Sequence, residues 1–381
     1  MSAASSDSLR DRLSRVRQTL AGSNLDALLV SHLPNVRYLT GFSGTSGSLI
    51  VSGSRALLVV DFRYAASASS LPGAGEPGLF SMTMASSGVD ETVTAAIREG
   101  GFRRIGIEAA SMPVGRFNRL SAALATDVMT LAGDPPACPS LAPTEQIVER
   151  ARAVKDAGEI ATLREAAGRL SAVARQARGF VAVGRSERDI AADIDAALRR
   201  AGFERTAFET IVASGPNSAL PHARPTGRMV EAGEGVVLDF GGVYDGYFVD
   251  LTRTLQTGPC PAAFRRLFAA VVEAHAAALA AVRPGAKASD IDAAARAVLD
   301  RHGLGEAFGH GTGHGLGLEL HEEPRLTRAG AGNPDAVVQP GMVFTIEPGA
   351  YVPGVGGARI EDDVLVVDGG ADVLTDVPIE Q

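Results

Sequence analysis

The run Gly133-Asp-Pro-Pro-Ala-Cys-Pro-Ser-Leu-Ala-Pro143 constrains this chain more than any other segment. Four prolines in eleven residues cannot continue a helix or a central strand, because proline lacks the backbone N–H and fixes φ. The 381 residues are long enough for two domains, and the break says where to divide them. Residues 1–135 are expected as a first domain, 136–155 as a linker running into a long helix, and 156–381 as a second domain.

Upstream of the break, strand and helix alternate. Leu9, Leu13, Val16 and Leu20 recur at helical spacing, and Asp26-Ala-Leu-Leu-Val30 reads as a buried strand. Gly47-Ser-Leu-Ile-Val51 and Ala56-Leu-Leu-Val-Val60 flank a turn and form a hairpin. Val89, Val93 and Ile97 mark a helix, Arg104-Ile-Gly-Ile107 a strand, and Phe117, Leu120 and Leu124 another helix. The fold class is α/β. Downstream, Ile160, Leu163, Ala167, Leu170, Ala174 and Ala177 give one apolar helix face. Two later helices echo each other: Ser186 to Leu198 stops before Gly202, and Ser289 to Val298 before Gly303. Each begins with Ser and carries Asp three residues on, a capping-box-like start, so a duplicated half-domain is expected.

Charge and cysteine content exclude several functions. Lys plus Arg number 36 against 44 Asp plus Glu, a net charge of −8, which lacks the basic footprint of a nucleic-acid binder. Two cysteines, Cys138 and Cys260, cannot build a disulfide framework or a cysteine-based metal site. The first residues carry neither a basic nor an apolar targeting pattern, and the most apolar stretch, 264–282, is interrupted by Arg265, Arg266, Glu273 and His275. No membrane partner is expected, and the expected location is a reducing cytoplasm.

The acids carry the chemistry. Gly235-Val-Val-Leu-Asp-Phe-Gly241 and Val243-Tyr-Asp-Gly-Tyr-Phe-Val-Asp250 form a hairpin, and a pivot between Tyr244 and Asp245 sets Asp239 directly opposite Asp250. Two like charges facing each other on an apolar hairpin need a cation between them. A second hairpin, Met342-Val-Phe-Thr-Ile-Glu347 with Ala358-Arg-Ile-Glu-Asp-Asp363, pivots at Gly354 and sets Glu347 opposite Glu361. Between them runs Gly309-His-Gly-Thr-Gly-His-Gly-Leu-Gly317, whose five glycines allow the close backbone approach that would carry His314 to the acids. Two Asp, two Glu and one His suit two divalent cations, with Mn²⁺ preferred by the carboxylate-rich set over Co²⁺, Zn²⁺ or Fe²⁺. Such a pair acidifies water held between the ions and polarises a carbonyl, so amide or ester hydrolysis is the expected reaction class. No nucleophile elbow, H-E-x-x-H or P-loop is present, and the glycines around His314 do not satisfy G-x-G-x-x-G.

At these residues the chain resembles the pita-bread metallopeptidases (M24), the family of methionine aminopeptidase, aminopeptidase P, prolidase and creatinase. The resemblance rests on Leu-Asp239-Phe-Gly, Val-Asp250-Leu-Thr-Arg-Thr, Gly-His314-Gly-Leu-Gly, Thr-Ile-Glu347-Pro-Gly and Arg-Ile-Glu361-Asp. Upstream, Asn35-Val-Arg-Tyr-Leu-Thr-Gly-Phe-Ser-Gly-Thr-Ser-Gly47 and Asp61-Phe-Arg-Tyr64 resemble the first domain of the Xaa-Pro peptidase branch. Phe62 departs from the usual glycine there, and methionine aminopeptidases lack this domain. The resemblance implies a creatinase-like α/β domain followed by a pita-bread catalytic domain with pseudo-twofold halves. It implies that Asp239, Asp250, His314, Glu347 and Glu361 bind two metal ions, with Glu347 also shuttling a proton. His222 and His321 would contact the substrate carbonyl and the tetrahedral intermediate, and His310 would line the pocket. Arg359 and Tyr351 would support the metal ligands, and Arg63 and Tyr64 are candidate outer contacts. His32, His275 and His302 match no motif and read as structural. The implied substrate is a short peptide with proline after the cut bond, and the implied assembly is a homodimer whose first domain narrows access.

Two activities compete within this reading. The 41–47 segment favours aminopeptidase P, whereas Arg325, four residues after His321, could hold a free carboxylate and favours prolidase. Creatinase-like amidine hydrolysis is a further alternative, and a pita-bread module that binds a protein partner without catalysis is the alternative from another class.

Overall fold

A computed structural model describes residues 5–125, 138–330 and 335–379. The proline-rich break lies outside the described residues as far as position 137. The chain forms two compact units, Met1–Arg152 and Ala153–Gln381.

The first unit is built on strands β1 (Ala27–Val30), β2 (Gly47–Ser52), β3 (Ala56–Val60), β4 (Ser81–Met84), β5 (Arg104–Glu108) and β6 (Ser140–Thr144), in the order β4-β3-β2-β1-β5-β6. Only β2 runs antiparallel to its neighbours in this sheet. The expected hairpin pairs Val51 with Ala56. Leu9, Leu13, Val16 and Leu20 of helix Ser6–Ala21 are buried, as their spacing requires. β6 lies within the stretch read as a linker, and it tolerates Pro143 because it is an edge strand. Helix Ile147–Ala153 follows it. His32 contributes its backbone N–H, which donates to buried Glu108 over 2.7 Å.

The second unit opens with helix Ala157–Ala177, started by a capping box between Asp156 and Glu159. One sheet contains β7 (Arg205–Thr206), β8 (Ile211–Ser214), β9 (Gly235–Tyr244) and β10 (Tyr247–Gln256). The other contains β11 (Gly313–Gly315), β12 (Glu322–Leu326), β13 (Val343–Ile346), β16 (Asp362–Val367) and β17 (Gly370–Val373), while β14 (Gly349–Val352) and β15 (Gly356–Arg359) pair separately. Among the described residues no helix is long and apolar enough to cross a membrane.

The echo in the sequence is an echo in structure. Gly184 and Gly285, both at φ 85°, precede helices Glu187–Arg200 and Ala288–Arg301. Each glycine N–H bonds a later strand-like segment, Gly184 to Val230 O and Gly285 to Val338 O. The cap reading holds for only one copy. Ser186 caps the first helix, accepting from Asp189 N, but the matching position in the second is Lys287, which makes no cap bond. Ser289 lies inside the helix and bonds Asp335 instead. With the helix starting at Ala288, Asp292 lies past the first-turn position of a cap partner, and its carboxylate accepts from Thr312.

Candidate metal centre

The β9–β10 hairpin turns at Asp245-Gly246, whose φ values of 45° and 72° suit a primed two-residue turn. Tyr244 therefore pairs with Tyr247, and the register differs from the one expected. Asp239 faces Thr252 and Asp250 faces Gly241. The two acids still share one face of the sheet, as diagonal neighbours. The expected pivot came one residue too early because it ignored the positive-φ demand that Asp-Gly satisfies.

Thr252 then links the two hairpins. It bridges to Glu361, and its hydroxyl donates to Glu361 Oε2 over 2.6 Å. The β13–β16 and β14–β15 ladders both keep the register expected for the second hairpin, and Glu347 and Glu361 lie at their junction. His314 sits on β11, where Gly313 and Gly315 are required by contact: a Cβ on Gly313 would lie 1.8 Å from Thr345 O, and one on Gly315 2.2 Å from Glu323 O.

The ligand atoms of Asp250, His314 and Glu361 all lie within 4.8 Å of one another. Glu347 Oε1 is 3.6 Å from His314 Nε2. Asp239 and Glu347 line the same cavity of about 700 Å³ as these three, together with His222, His310, His321, Arg325 and Arg359. Arg359 donates to Asp239 Oδ2, and also to Tyr351 Oη and Pro221 O. Tyr351 Oη lies 3.0 Å from His310 Nε2. Since Gly311 O can only accept, the 2.8 Å contact puts the His310 proton on Nδ1 and leaves Nε2 to accept from Tyr351. Arg63 and Tyr64 belong to the first unit, where they bond Asp61 and Thr45.

The electrostatics ask for cations. Burial pushes the Asp250 carboxyl well above its ordinary range, and Asp239, Asp363 and Glu347 push it further. Burial does the same to Glu361, aided by Asp250 and Glu347, and raises Glu347 to about 7. Arg359 neutralises Asp239, yet among the described residues the buried Oδ1 of Asp239 and Oδ1 of Asp250 have no hydrogen-bond partner. A buried carboxylate oxygen with nothing to accept from is expensive. His314 has the form a metal ligand needs. Burial, then the neighbouring His321, lowers its pKa to about 3, so the ring is neutral, and Nδ1 donates to Gly315 O over 3.1 Å. That leaves the Nε2 lone pair facing the acids, the orientation that a backbone carbonyl commonly enforces on a ligating imidazole. The donor set fits divalent cations.

Three groups were not foreseen in the sequence. Thr252 is one; its signal is the Asp250-Leu-Thr252 spacing, which puts both side chains on one strand face. Asp363 is another, buried and accepting from Asp250 N over 3.1 Å. The third is a cluster behind Glu361. Arg253 donates to Glu361 O and to Asp362 Oδ1, and His275, read as merely structural, lies 3.1 Å from Asp362 Oδ2.

Two family models match the chain. The model for metallopeptidase family M24 matches residues 161–368, and that for the creatinase/prolidase N-terminal domain matches residues 12–154. The chain is 34% identical over 370 residues to an uncharacterised peptidase of Bacillus subtilis (strain 168), covering 97% of this chain and 99% of that protein. It is similar to a solved Xaa-Pro dipeptidase from Bacillus anthracis, with a TM-score of 0.89, 32% identity and coverage of 98% and 99%. It is also similar to an X-Pro aminopeptidase from Thermotoga maritima MSB8, with a TM-score of 0.82, 29% identity and coverage of 95% and 99%.

Proposed function

This chain belongs to metallopeptidase family M24, and we propose that it is an Xaa-Pro exopeptidase that cleaves the bond before proline in short peptides. The observation that carries the reading is the convergence of carboxylate and neutral imidazole ligand atoms of Asp250, His314 and Glu361 in one cavity with Arg325. Arg325 lines the same cavity, and its charge acts on Glu347 there. A guanidinium in the cavity favours the dipeptidase form, in which it would hold the free carboxylate of an Xaa-Pro dipeptide.

Asp239, Asp250, His314, Glu347 and Glu361 would hold two divalent ions, with Mn²⁺ preferred for this ligand set and Co²⁺, Zn²⁺ and Fe²⁺ as the other candidates. When bound, the ions supply Lewis acidity and acidify water at the site. Glu347 carries a proton from the attacking water to the departing proline nitrogen. His222 and His321 donate hydrogen bonds to the carbonyl oxygen as negative charge builds on it. Burial lowers the pKa of His321, so it donates as a neutral ring. Tyr351, between His310 and Arg359, keeps the guanidinium turned to Asp239. We further propose a homodimer in a reducing compartment, consistent with the free Cys138 and Cys260.

A panel of Xaa-Pro, Xaa-Pro-Yaa and non-proline peptides, run with each of the four metals, tests the reading. The expected result is turnover of Xaa-Pro above all others. Turnover of Xaa-Pro-Yaa in preference would shift the reading to an aminopeptidase. Hydrolysis of neither with any metal would remove the peptidase reading and favour a binding module.

A further inference from the structure

Lys155 and Glu322 form an ion pair out of reach of water. Nζ lies 3.2 Å from Oε2, and the two side chains are 1% and 6% exposed. Such a pair gains little stability over an apolar pair of the same volume, because removing two charges from water costs about what their attraction returns. Its geometry is more informative. Glu322 Oε1 accepts from Glu319 N over 3.0 Å, and Gly317 N donates to Glu319 O, so the carboxylate closes the turn between β11 and β12. Lys155 is fixed in its turn by its own N–H, which bonds Gly341 O over 2.9 Å, and by the adjacent Val154–Met342 bridge. The pair therefore fastens the turn before β12 to the segment that leads into β13 and Glu347.

Directly beyond Glu322 the ladder slips. Gly315 pairs with Glu322, but His314 pairs with Arg325, so Glu323 and Pro324 are extra residues on one strand. A bulge of this kind re-aims the side chains that follow it. Here the residue that follows is Arg325, which lines the cavity, and the residue just before Glu322 is His321, which lines it too. Glu322 is the last paired residue before the slip. Glu322 and the His314–Arg325 pair bracket the slip, so what holds Glu322 fixes one of its two ends.

We propose that the Lys155–Glu322 ion pair is a positioning device, holding the β11–β12 bulge so that Arg325 meets the carboxylate of an Xaa-Pro dipeptide. The proposal rests on the dipeptidase reading above. Neither Lys155 nor Glu322 touches the substrate; they act through Arg325.

The test compares an Xaa-Pro dipeptide with the same dipeptide amide, which has no carboxylate for Arg325 to hold. Wild type, Lys155→Arg, Lys155→Met and Lys155→Met/Glu322→Gln are assayed with metal bound. The double variant removes both charges of the pair together, and its melting curve checks that it folds. The ratio of kcat/KM for dipeptide over amide is expected to fall about tenfold in the double variant, the loss of one charge-assisted hydrogen bond, mostly through KM. Lys155→Arg is expected to recover most of the ratio. Equal loss on both substrates, or an unchanged ratio, would overturn the positioning role while leaving the peptidase reading intact. A wild type that hydrolyses neither substrate would remove both.

Discussion

Asp239 and Asp250 sit diagonally across the β9–β10 hairpin, with Thr252 opposite the first and Gly241 opposite the second. The offset has consequences for the site. Thr252, not an acid, occupies the position facing Asp239, and through it Glu361 is bonded into the same row. Gly241, facing Asp250, has no room for a side chain: a Cβ there would lie 2.3 Å from Val249 O. The acids thus approach from two hairpins while their backbones stay satisfied.

The crowding of buried acids predicts an inverted response to Asp250→Asn. In metal-free protein the variant relieves repulsion from Asp239, Asp363 and Glu347 and melts higher, by roughly 2–4 °C for each kcal/mol relieved. With metal the order reverses, because the variant has lost a ligand. Differential scanning calorimetry with and without Mn²⁺ reads both signs. A metal-free variant that melts below wild type would contradict the repulsion argument.

Metal removal is expected to destabilise the second unit through the same acids. An ion that binds only the folded chain adds about 2.7 kcal/mol at a hundredfold excess over its Kd. Chelator-treated protein should therefore melt lower and recover on adding back Mn²⁺, with Tm rising steadily with metal concentration. A Tm indifferent to chelator and metal would remove the metal centre from the reading.

Much of this site was legible because metal ligands sit at fixed places in regular structure. Strand alternation alone puts Asp239 and Asp250 on one face, and the symmetrical arms of the second hairpin put Glu347 across from Glu361. What escaped depends on contacts between segments far apart in sequence. Thr252 meets Glu361, and Lys155 meets Glu322, through tertiary packing that no local period reports. The register error has a different origin: Asp245-Gly246 is the local signal for a two-residue turn, and it outranks a guess from matched acids. The capping echo at Ser289 failed because the helix begins at Ala288, which puts Ser289 inside it.

Acid sensitivity is expected from Glu187, which is not among the residues lining the metal cavity. Burial works to raise its pKa, but bonds from Thr226, Ser214 and Asn217 outweigh it, and the folded value lies below the ordinary one. A depressed folded pKa gives stability that is fully present above the unfolded value of about 4.3 and is lost as pH falls through the folded value. Glu187→Gln should lower stability near neutral pH by about 1–3 kcal/mol, since the amide cannot accept all of these bonds. The gap between the two proteins should then close as denaturation is repeated towards about pH 3. A gap that stays constant with pH would mean that the carboxylate charge is not the source.

Tyr351→Phe isolates the hydroxyl that joins His310 to Arg359. Without it, Arg359 keeps its bonds to Asp239, Thr252 and Pro221 but loses the contact that fixes its tilt. Partners of this outer kind usually cost 10–100-fold when removed, so roughly that loss in kcat is expected, with metal content measured in parallel. Unchanged kcat would show that the hydroxyl merely fills space.

Gly313→Ala should be the most damaging of the small changes. The alanine Cβ would have to sit 1.8 Å from Thr345 O, which is backbone on β13 and cannot swing aside as a side chain would. β13 is itself held by β16 on its other edge, so the clash can be relieved only by parting β11 from β13. That movement carries His314 away from Asp250 and Glu361, which are held by other strands. Overpacking of this kind typically costs about 1–3 kcal/mol, and more where backbone must yield. The expected outcome is a lower melting temperature together with loss of metal-dependent stabilisation, because the imidazole no longer reaches the acids. Gly309→Ala is the control, since a Cβ there meets nothing within 4 Å. If both variants bound metal like wild type, the glycines of this run would owe nothing to the approach of β11 to β13.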